Sequence, residues 1–257
     1  MAQNGRLLES KDLVKSYSGR LVVDQVCFHV NRGEIVGLLG RNGAGKTTSF
    51  RITMGMVKPE GGNVFFGGDD ITRLPMYRRA QKGMGYLSQE NSVFVRLTVE
   101  QNLLAILELL PGLGAKERKH RAHELMEQFG LLTNAGQEAR TLSGGERRKL
   151  EIARALITQP AIILLDEPFS GVDPIAVQDL QREILRLRAN LGLSILLTDH
   201  NVRQTLEVTD RSYIIHEGRV IKVGSPKELI NDPVVRDAYL GTTFKGDEFD
   251  HLAQRRP

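Results

Sequence analysis

Three short stretches of this 257-residue chain combine residue types that can bind phosphate and activate water. The first fits the pattern G-x-x-x-x-G-K-[ST] and reads Gly40, Arg41, Asn42, Gly43, Ala44, Gly45, Lys46 and Thr47, with Thr48 after it. An apolar run at residues 34–39 precedes it, and a helical pattern at residues 48–56 comes after it. Strand, glycine-rich turn and helix together aim backbone N–H groups at a phosphate chain. We expect Lys46 to reach the β- and γ-phosphates of a nucleotide and the Thr47 hydroxyl to hold Mg²⁺.

The second stretch is a pair of carboxylates, Asp166 and Glu167, directly after the apolar run at residues 162–165. A carboxylate at the end of a buried strand beside a phosphate loop can complete a Mg²⁺ shell, and we expect this of Asp166. Glu167 would then lie near the γ-phosphate, where it can polarise an attacking water. Taken alone, the pair could equally end a strand at the surface, where acidic residues are common.

The third stretch, Ser143-Gly144-Gly145-Glu146, precedes an amphipathic run at residues 147–157. Ser143 is a candidate N-cap, and the two glycines let the backbone approach an anion closely. The chain therefore has two helix starts that can bind an anion, separated by a helical block. A two-fold dimer in which each third stretch faces the other copy's nucleotide would use both. The alternative is a capped helix with flexible glycines.

Hydrophobic periodicity predicts an α/β chain with a helical insertion. Thr98 and Gln101 form a candidate capping box, and nearly all of residues 98–158 are predicted to be helical, with a helix at residues 115–129. Helices are also predicted at residues 75–82, 174–189, 201–208, 226–230 and 233–239. Strands are predicted at residues 7–17, 21–30, 63–66, 85–87, 162–165 and 194–197, with a hairpin at residues 212–223.

Composition indicates an ordinary soluble globular chain, with 40% hydrophobic and 26% charged residues. The net charge of +4 is weak support for binding nucleic acid or anionic lipid. The single cysteine, Cys27, excludes an intrachain disulfide and fits a reducing cytoplasm; we expect it in the core, because it lies in an apolar-rich strand. The sequence contains no run of 18 apolar residues, so no membrane span is predicted. The first residues lack an apolar signal region.

In this order and context, the three stretches and His200 resemble the nucleotide-binding subunit of an ABC transporter, over nearly all of residues 6–240. The resemblance implies a single ABC ATPase domain in which a RecA-like P-loop ATPase core with an antiparallel β subdomain covers residues 6–90 and 159–224. It also implies a helical subdomain at residues 91–158. Residues 225–257 would form C-terminal helices and a tail that is mobile from Gly241.

The resemblance also implies roles for single residues and the cofactors ATP and Mg²⁺. Tyr17 would stack on adenine, and Gln89 would contact Mg²⁺ and sense a membrane partner. Residues 170–173 would communicate across the dimer, and His200 would be the switch histidine near the γ-phosphate. The implied catalytic residues are Glu167, His200 and Gln89. Without the other motifs, His200 would be interpreted as a structural histidine at the end of a strand.

The implied partners are a second copy of the chain and two transmembrane permease subunits, with the protein peripheral on the cytoplasmic face of the inner membrane and no nucleic acid bound. The permeases would contact a groove between the Q-loop and the helical block. The candidate contact residues are Asn91, Ser92, Val93, Phe94 and Arg96. Phe94 is either an exposed apolar anchor or packs inward against Leu103 and Leu104.

Within the family, residues 167–174, 197–206 and 239–241 look closest to the ATPases of bacterial lipopolysaccharide export. The ATPases of branched-chain amino-acid importers are the nearest alternative. A soluble ABC protein usually has two cassettes or a long coiled-coil insertion, and a lone P-loop switch or kinase would not need residues 142–146. Ser88 replaces a proline that is frequent in the family, which predicts a looser Q-loop. The tail is longer than the family suggests, so its role stays open.

Overall fold

The computed structural model describes residues 5–240, except residues 89, 91 and 172. Its strands are β1 (Arg6–Tyr17), β2 (Arg20–Asn31), β3 (Ile35–Leu39), β4 (Gly61–Phe66), β5 (Asp69–Asp70), β6 (Met84–Leu87), β7 (Ile162–Asp166), β8 (Ser194–Asp199), β9 (Arg211–His216) and β10 (Arg219–Gly224). Its helices are α1 (Lys46–Met54), α2 (Met76–Gln81), α3 (Val99–Leu107), α4 (Ala115–Gln128), α5 (Gly144–Leu156), α6 (Pro174–Leu191), α7 (Val202–Leu206), α8 (Pro226–Asn231) and α9 (Pro233–Val235). A π-helical turn, Arg236–Leu240, ends the described chain.

A six-stranded sheet in the order β10-β9-β3-β8-β7-β6 forms the centre of the molecule. Adjacent strands in this sheet run parallel, except for β9 and β10, which form an antiparallel hairpin. The turn of this hairpin, at Glu217 and Gly218, has positive φ at both residues. Every residue of β3, β7 and β8 is buried. Parallel strands covered by helices on both faces have this pattern, which explains their continuous apolar runs. The carboxyl ends of β3, β7 and β8 consequently meet at one edge.

A second, antiparallel sheet has the order β2-β1-β4-β5. The β1–β2 hairpin turns at Ser18 and Gly19, with φ of 49° and 78°. Positive φ at both central residues matches the right-handed twist of the two strands. Arg211 joins the sheets: its guanidinium donates to Glu34 Oε1 at 2.8 Å and Oε2 at 3.0 Å, and to the His29 carbonyl at 3.0 Å.

The helices pack in three apolar clusters that cover the central sheet. In one, α3, α4, α5 and α6 pack against one face, around Leu103, Met126, Leu150 and Ile184. In the second, α1 fills the space between the other face and the antiparallel sheet. A smaller cluster joins β3 and β9 to α7, α8 and α9. Helices on both sides of a mainly parallel sheet make this an α/β fold, as predicted.

Most elements agree with the sequence predictions, including the Thr98 capping box: Gln101 N donates to Thr98 Oγ1 at 3.1 Å, and Thr98 N donates to Gln101 Oε1 at 2.9 Å. The block at residues 98–158 is less helical than predicted. Turns occupy residues 108–114, and two 3-10 turns, Leu132–Asn134 and Ala139–Thr141, lie between α4 and α5. The predicted division into subdomains stays a prediction, and the predicted mobile tail lies outside the described residues.

The expectation that Cys27 lies in the core was wrong. Its neighbours Val26 and Phe28 point inward, and the alternation of side chains along β2 leaves Cys27 exposed. At the surface it bonds with Asp12, whose backbone N–H donates to the sulfur at 3.1 Å. The apolar content of the run predicted the strand correctly but not which of its residues face the core.

A buried arginine closes the far end of α1. Arg79 is 1% exposed, and Nη1 donates to the carbonyls of Ile52 at 2.9 Å and Thr53 at 2.6 Å. Nε and Nη2 donate to the carbonyls of Leu74 and Thr72, each at 2.9 Å. The last carbonyls of a helix lack intrahelical partners and carry partial negative charge, which a cation offsets. Burial lowers the pKa of Arg79 to about 10, so it remains charged at neutral pH.

We therefore expect Arg79→Ala to lower the free energy of unfolding by about 3 kcal/mol, since several buried carbonyls lose their donor. Arg79→Lys should recover only part of the loss, because a compact ammonium cannot reach four carbonyls in different directions. Urea unfolding measures both. Arg78→Ala, at the exposed neighbour, is the matched control and should stay within about 0.5 kcal/mol of the parent chain. A loss below about 1 kcal/mol for Arg79→Ala would contradict this role.

Candidate functional site

The glycine-rich loop between β3 and α1 is packed tightly at both ends. A Cβ at Gly40 would lie 2.2 Å from the Ile215 carbonyl oxygen, and one at Gly45 would lie 2.5 Å from the Val22 carbonyl oxygen. Only glycine fits at these two positions, because backbone oxygens cannot yield to a side chain. The strand–loop–helix context predicted for residues 40–47 is present. In this arrangement, the N-terminus of α1 points out of the sheet edge, where it can bind an anion.

The Lys46 side chain folds back onto the glycine-rich loop and bonds two of its carbonyls. Its Nζ donates to the Gly40 carbonyl at 2.6 Å and to the Arg41 carbonyl at 3.0 Å. An ammonium has three donors, so a further one is available to a bound phosphate. Burial lowers the pKa of Lys46, and the negative charges of Glu167 and Asp199 oppose this. Lys46 is thus a buried cation at the strand edge where the acidic residues gather.

Asp166 ends β7 and is 4% exposed. Within the described chain, its Oδ1 is buried and has no hydrogen-bond partner. Burial raises the pKa of Asp166, and the positive charge of Arg51 opposes this. A buried carboxylate oxygen with a free lone pair fits a divalent cation. In the part of the chain that the structure describes, no three His, Cys, Asp or Glu side chains are arranged to hold a metal ion by themselves. Mg²⁺ here would depend on Asp166 and the Thr47 hydroxyl together with phosphate oxygens, and the predicted ligand Gln89 lies outside the described residues.

Glu167 and His200 meet at the ends of adjacent strands. Residues Asp166 and Thr198 are register partners of β7 and β8, and Glu167 N donates to the Thr198 carbonyl at 2.8 Å. Glu167 Oε2 lies 3.3 Å from His200 Nδ1. The two side chains that the sequence predicted to act on the γ-phosphate are therefore in contact. Glu167 has a φ of 45°, a backbone conformation that a non-glycine residue keeps only when its surroundings fix it.

Asp199 is a member of this cluster that the sequence interpretation did not single out. It is fully buried, and its Oδ2 accepts a hydrogen bond from Phe169 N at 2.9 Å while its Oδ1 accepts one from Asn201 N at 2.8 Å. Burial raises the pKa of Asp199, and these two N–H donors oppose the shift. The same signal that identified Asp166, a carboxylate directly after a buried apolar run, could have identified Asp199.

The third stretch begins α5 with a complete capping box. Glu146 N donates to Ser143 Oγ at 3.3 Å, and Ser143 N donates to Glu146 Oε2 at 2.8 Å. Gly144 and Gly145 face open space: beyond the adjoining residues and the backbone of α5 itself, a Cβ at either would meet no atom of the described chain within 4 Å. A groove of about 560 Å³ runs from this start to the start of α6 and also touches Glu167.

The glycines of the two helix starts therefore differ. Gly40 and Gly45 are required by contacts within the chain, whereas Gly144 and Gly145 have no such requirement.

The remaining nucleotide candidate, Tyr17, is 47% exposed at the end of β1 and has the Lys15 ammonium 5.4 Å from its ring centroid. Gln89, the predicted Q-loop residue, lies outside the described residues.

The candidate permease contacts are only partly at the surface. Phe94 is 44% exposed, with the Arg154 guanidinium 4.4 Å from its ring centroid, so it is not packed inward against Leu103 and Leu104. Val93 is buried, which corrects its place among the surface candidates, because its side chain joins the core with α3. Ser92 and Arg96 are exposed, and Asn91 lies outside the described residues.

Helix α5 fastens this segment to the third stretch. Arg148 Nη1 donates to the Ser88 carbonyl at 3.2 Å and to Glu151 Oε2 at 2.8 Å. Glu151 Oε1 in turn accepts from Ser92 N at 2.8 Å, and Arg154 Nη1 donates to the Ser92 carbonyl at 2.5 Å.

None of the helices in the described part of the chain has the length and apolar character needed to cross a bilayer.

Comparison with known proteins identifies the family. A family model described as ABC transporter matches residues 23–170. The lipopolysaccharide export system ATP-binding protein LptB of Haemophilus influenzae is 51% identical over 239 residues, covering 93% of this chain and 99% of that protein. LptB of Escherichia coli K12 is 51% identical over 238 residues, covering 93% of this chain and 98% of that protein.

Solved structures give the same result for the fold. An ATP-binding cassette of an ABC transporter in its ADP conformation has a TM-score of 0.82 and 29% identity, covering 92% of this chain and 99% of its own. The cbiO1 protein of Clostridium perfringens has a TM-score of 0.81 and 26% identity, covering 98% of this chain and 100% of its own. The ABC ATPase fold predicted from the sequence is confirmed. This chain belongs to the ABC transporter family, as a subunit that binds and hydrolyses ATP.

Proposed function

We propose that the chain powers a lipopolysaccharide exporter, as a homodimer on the cytoplasmic face of the inner membrane. The observation that carries this proposal is the likeness to LptB proteins at 51% identity over 93% of the chain, which includes the whole sheet edge with Lys46, Asp166, Glu167 and His200. The rival proposals are an ATPase of a branched-chain amino-acid importer and a soluble ABC ATPase without transport. Purification of the chain with its native membrane partners tests all three.

At the nucleotide, each of the predicted site residues is assigned one role. Lys46 binds the β- and γ-phosphates, together with the N–H groups of the loop and of Thr48, and Tyr17 stacks on adenine. Thr47, Asp166 and Gln89 would hold Mg²⁺, which would neutralise phosphate charge. Glu167 polarises the attacking water, and His200 orients it and bonds the γ-phosphate. The 3.3 Å contact between Glu167 and His200 supports a shared task for the two side chains.

Two copies of the chain clamp two nucleotides between them. Ser143, Gly144, Gly145 and Glu146 of one copy would meet the nucleotide on the phosphate loop of the other. The open space beside both glycines supports this, because a partner surface or a phosphate can approach the backbone there. ATP provides contacts that exist only in the closed dimer, so it shifts the equilibrium toward closure, and hydrolysis removes them.

Two transmembrane permease subunits, of the LptF/LptG kind, would dock on the groove beside the Q-loop. Phe94 offers an exposed aromatic ring that contacts the Arg154 guanidinium, which also donates to the Ser92 carbonyl. A pre-ordered aromatic side chain at a surface is the usual anchor of an interface. Because the permeases contact the cargo, they and not this chain determine which cargo is recognised. No role in binding nucleic acid is proposed.

Lys46→Ala should weaken MgATP binding at least tenfold, because the loop loses a buried cation that neutralises phosphate charge. Titration with a fluorescent ATP analogue measures the affinity. Lys82→Ala, at an exposed lysine that pairs with Asp69, is the control and should bind like the parent. Lys46 also bonds two loop carbonyls, so the unfolding temperature of each variant is recorded alongside. Unchanged affinity in a folded Lys46→Ala protein would argue against the assigned role.

Glu167→Gln should bind ATP but release phosphate at least a hundredfold more slowly, since an amide cannot polarise water as a carboxylate does. ATP-bound dimers should then accumulate, which light scattering with MgATP detects. Glu124→Gln on α4 serves as the control and should turn over normally. Phosphate release at the parent rate would remove Glu167 from this role. A Glu167→Gln protein that stays monomeric with MgATP, both alone and with its membrane subunits, would exclude the clamped dimer.

Phe94→Ala should leave the ATPase activity of the isolated subunit within about twofold of the parent and reduce permease binding at least tenfold. The matched control is Leu109→Ala, at an apolar residue that is 77% exposed in the turn after α3. Both variants are compared by co-purification with tagged permeases from detergent extracts. Full recovery of the permeases with Phe94→Ala would place the interface elsewhere.

A further inference from the structure

We propose that Asp199 is a positioning residue for ATP hydrolysis, which holds the loop of Glu167 and the loop of His200 in one fixed arrangement. The proposal rests on the roles assigned above to Glu167 and His200. It concerns the geometry that brings those two side chains together rather than their own contacts with the nucleotide.

The two carboxylate oxygens of Asp199 serve two different loops. Oδ2 accepts from the backbone N–H of Phe169, two residues after Glu167, at 2.9 Å. Oδ1 accepts from the backbone N–H of Asn201, the residue after His200, at 2.8 Å. The side chain is fully buried, so no water competes for these bonds, and hydrogen bonds from N–H groups to a carboxylate are stronger than those between neutral groups.

These bonds complete the fixation of Glu167. Its own N–H donates to the Thr198 carbonyl at 2.8 Å, so residues 198 and 199 together hold the chain on both sides of its side chain. The left-handed φ of 45° at Glu167 is unfavourable for a non-glycine residue and persists only where neighbouring contacts enforce it. Asp199 supplies one of those contacts and, through Asn201, also sets where His200 leaves the strand.

The bonding pattern separates Asp199 from the metal candidate. Asp166 has a buried Oδ1 without a partner in the described chain, whereas both oxygens of Asp199 are occupied by backbone donors. Asp199 therefore acts on the site chiefly through its loops, and its Oδ1 also lies 3.6 Å from His200 Nδ1. Its negative charge acts on Lys46, and the charges of His200 and Glu167 act on it. Removing this charge makes the site less negative, which favours a polyanionic nucleotide.

Asp199→Asn provides the test, because an amide of the same shape keeps one acceptor and turns an N–H donor toward one of the two backbone N–H groups. We expect kcat for ATP hydrolysis to fall by about tenfold to a hundredfold, as small misplacements of catalytic groups do. The affinity for MgATP, by titration with the fluorescent analogue, should be unchanged or higher. Asp199→Ser, which can accept from only one loop, should show the same split.

Asp210→Asn is the matched control. Asp210 Oδ2 also accepts a backbone N–H, from Ile35 at 2.9 Å, and Oδ1 pairs with Arg188, but these contacts lie at the opposite end of β3. The Asp210→Asn variant should therefore have a lower unfolding temperature than the parent chain and an unchanged kcat. Parent-like kcat in both Asp199 variants would overturn the proposal. So would a parallel loss of kcat, ATP affinity and unfolding temperature, which is the result of a purely structural role.

A double-variant comparison with His200→Ala gives an independent readout. If Asp199 acts by positioning the pair, Asp199→Asn should lower kcat by a smaller factor in His200→Ala than in the parent chain, because the bond to Asn201 then has no imidazole to position while the bond to Phe169 still fixes Glu167. Multiplication of the two separate losses would contradict the proposal. Failure of the role proposed for Glu167 is distinguishable, because it would appear as normal turnover in Glu167→Gln whatever Asp199 does.

Discussion

The site depends on one constraint: strands that run parallel and side by side end at the same edge of a sheet. β3, β8 and β7 are consecutive strands of the central sheet, and all three are buried. Each of them ends at a candidate site residue or loop. The phosphate loop comes directly after β3, Asp166 and Glu167 lie at the end of β7, and Asp199 and His200 lie at the end of β8. Residues far apart in the chain are thereby brought within hydrogen-bond distance, without any long side chain having to reach across.

This constraint also explains which parts of the site the sequence could predict. The phosphate loop was predicted from local spacing, because its function depends on contacts within a few residues. Asp166 and Glu167 were predicted because a buried strand can be identified from its apolar run, and the residues directly after such a strand must emerge at the sheet edge. The Thr98 capping box and the Ser143 N-cap are equally local predictions, and both are present.

Other features depend on register or on packing between distant segments, and sequence patterns could not predict them. The contact between Glu167 and His200 requires β7 and β8 to be neighbours in a particular register, which strand patterns alone do not fix. The role of Asp199 needs the same information. Cys27 was misplaced because apolar content does not say which face of β2 is covered. Phe94 was left undecided because its environment is created by Arg154, about sixty residues later in the chain.

Helix α5 has a mechanical consequence. It begins at Ser143, on the side proposed to meet the second nucleotide, and through Arg148 and Arg154 it grips Ser88 and Ser92 in the segment proposed to meet the permeases. At 1.5 Å per residue, its 13 residues span about 20 Å. A helix resists bending over such a distance, so its two ends move together. A displacement of its first turn would therefore be passed to the segment around Phe94.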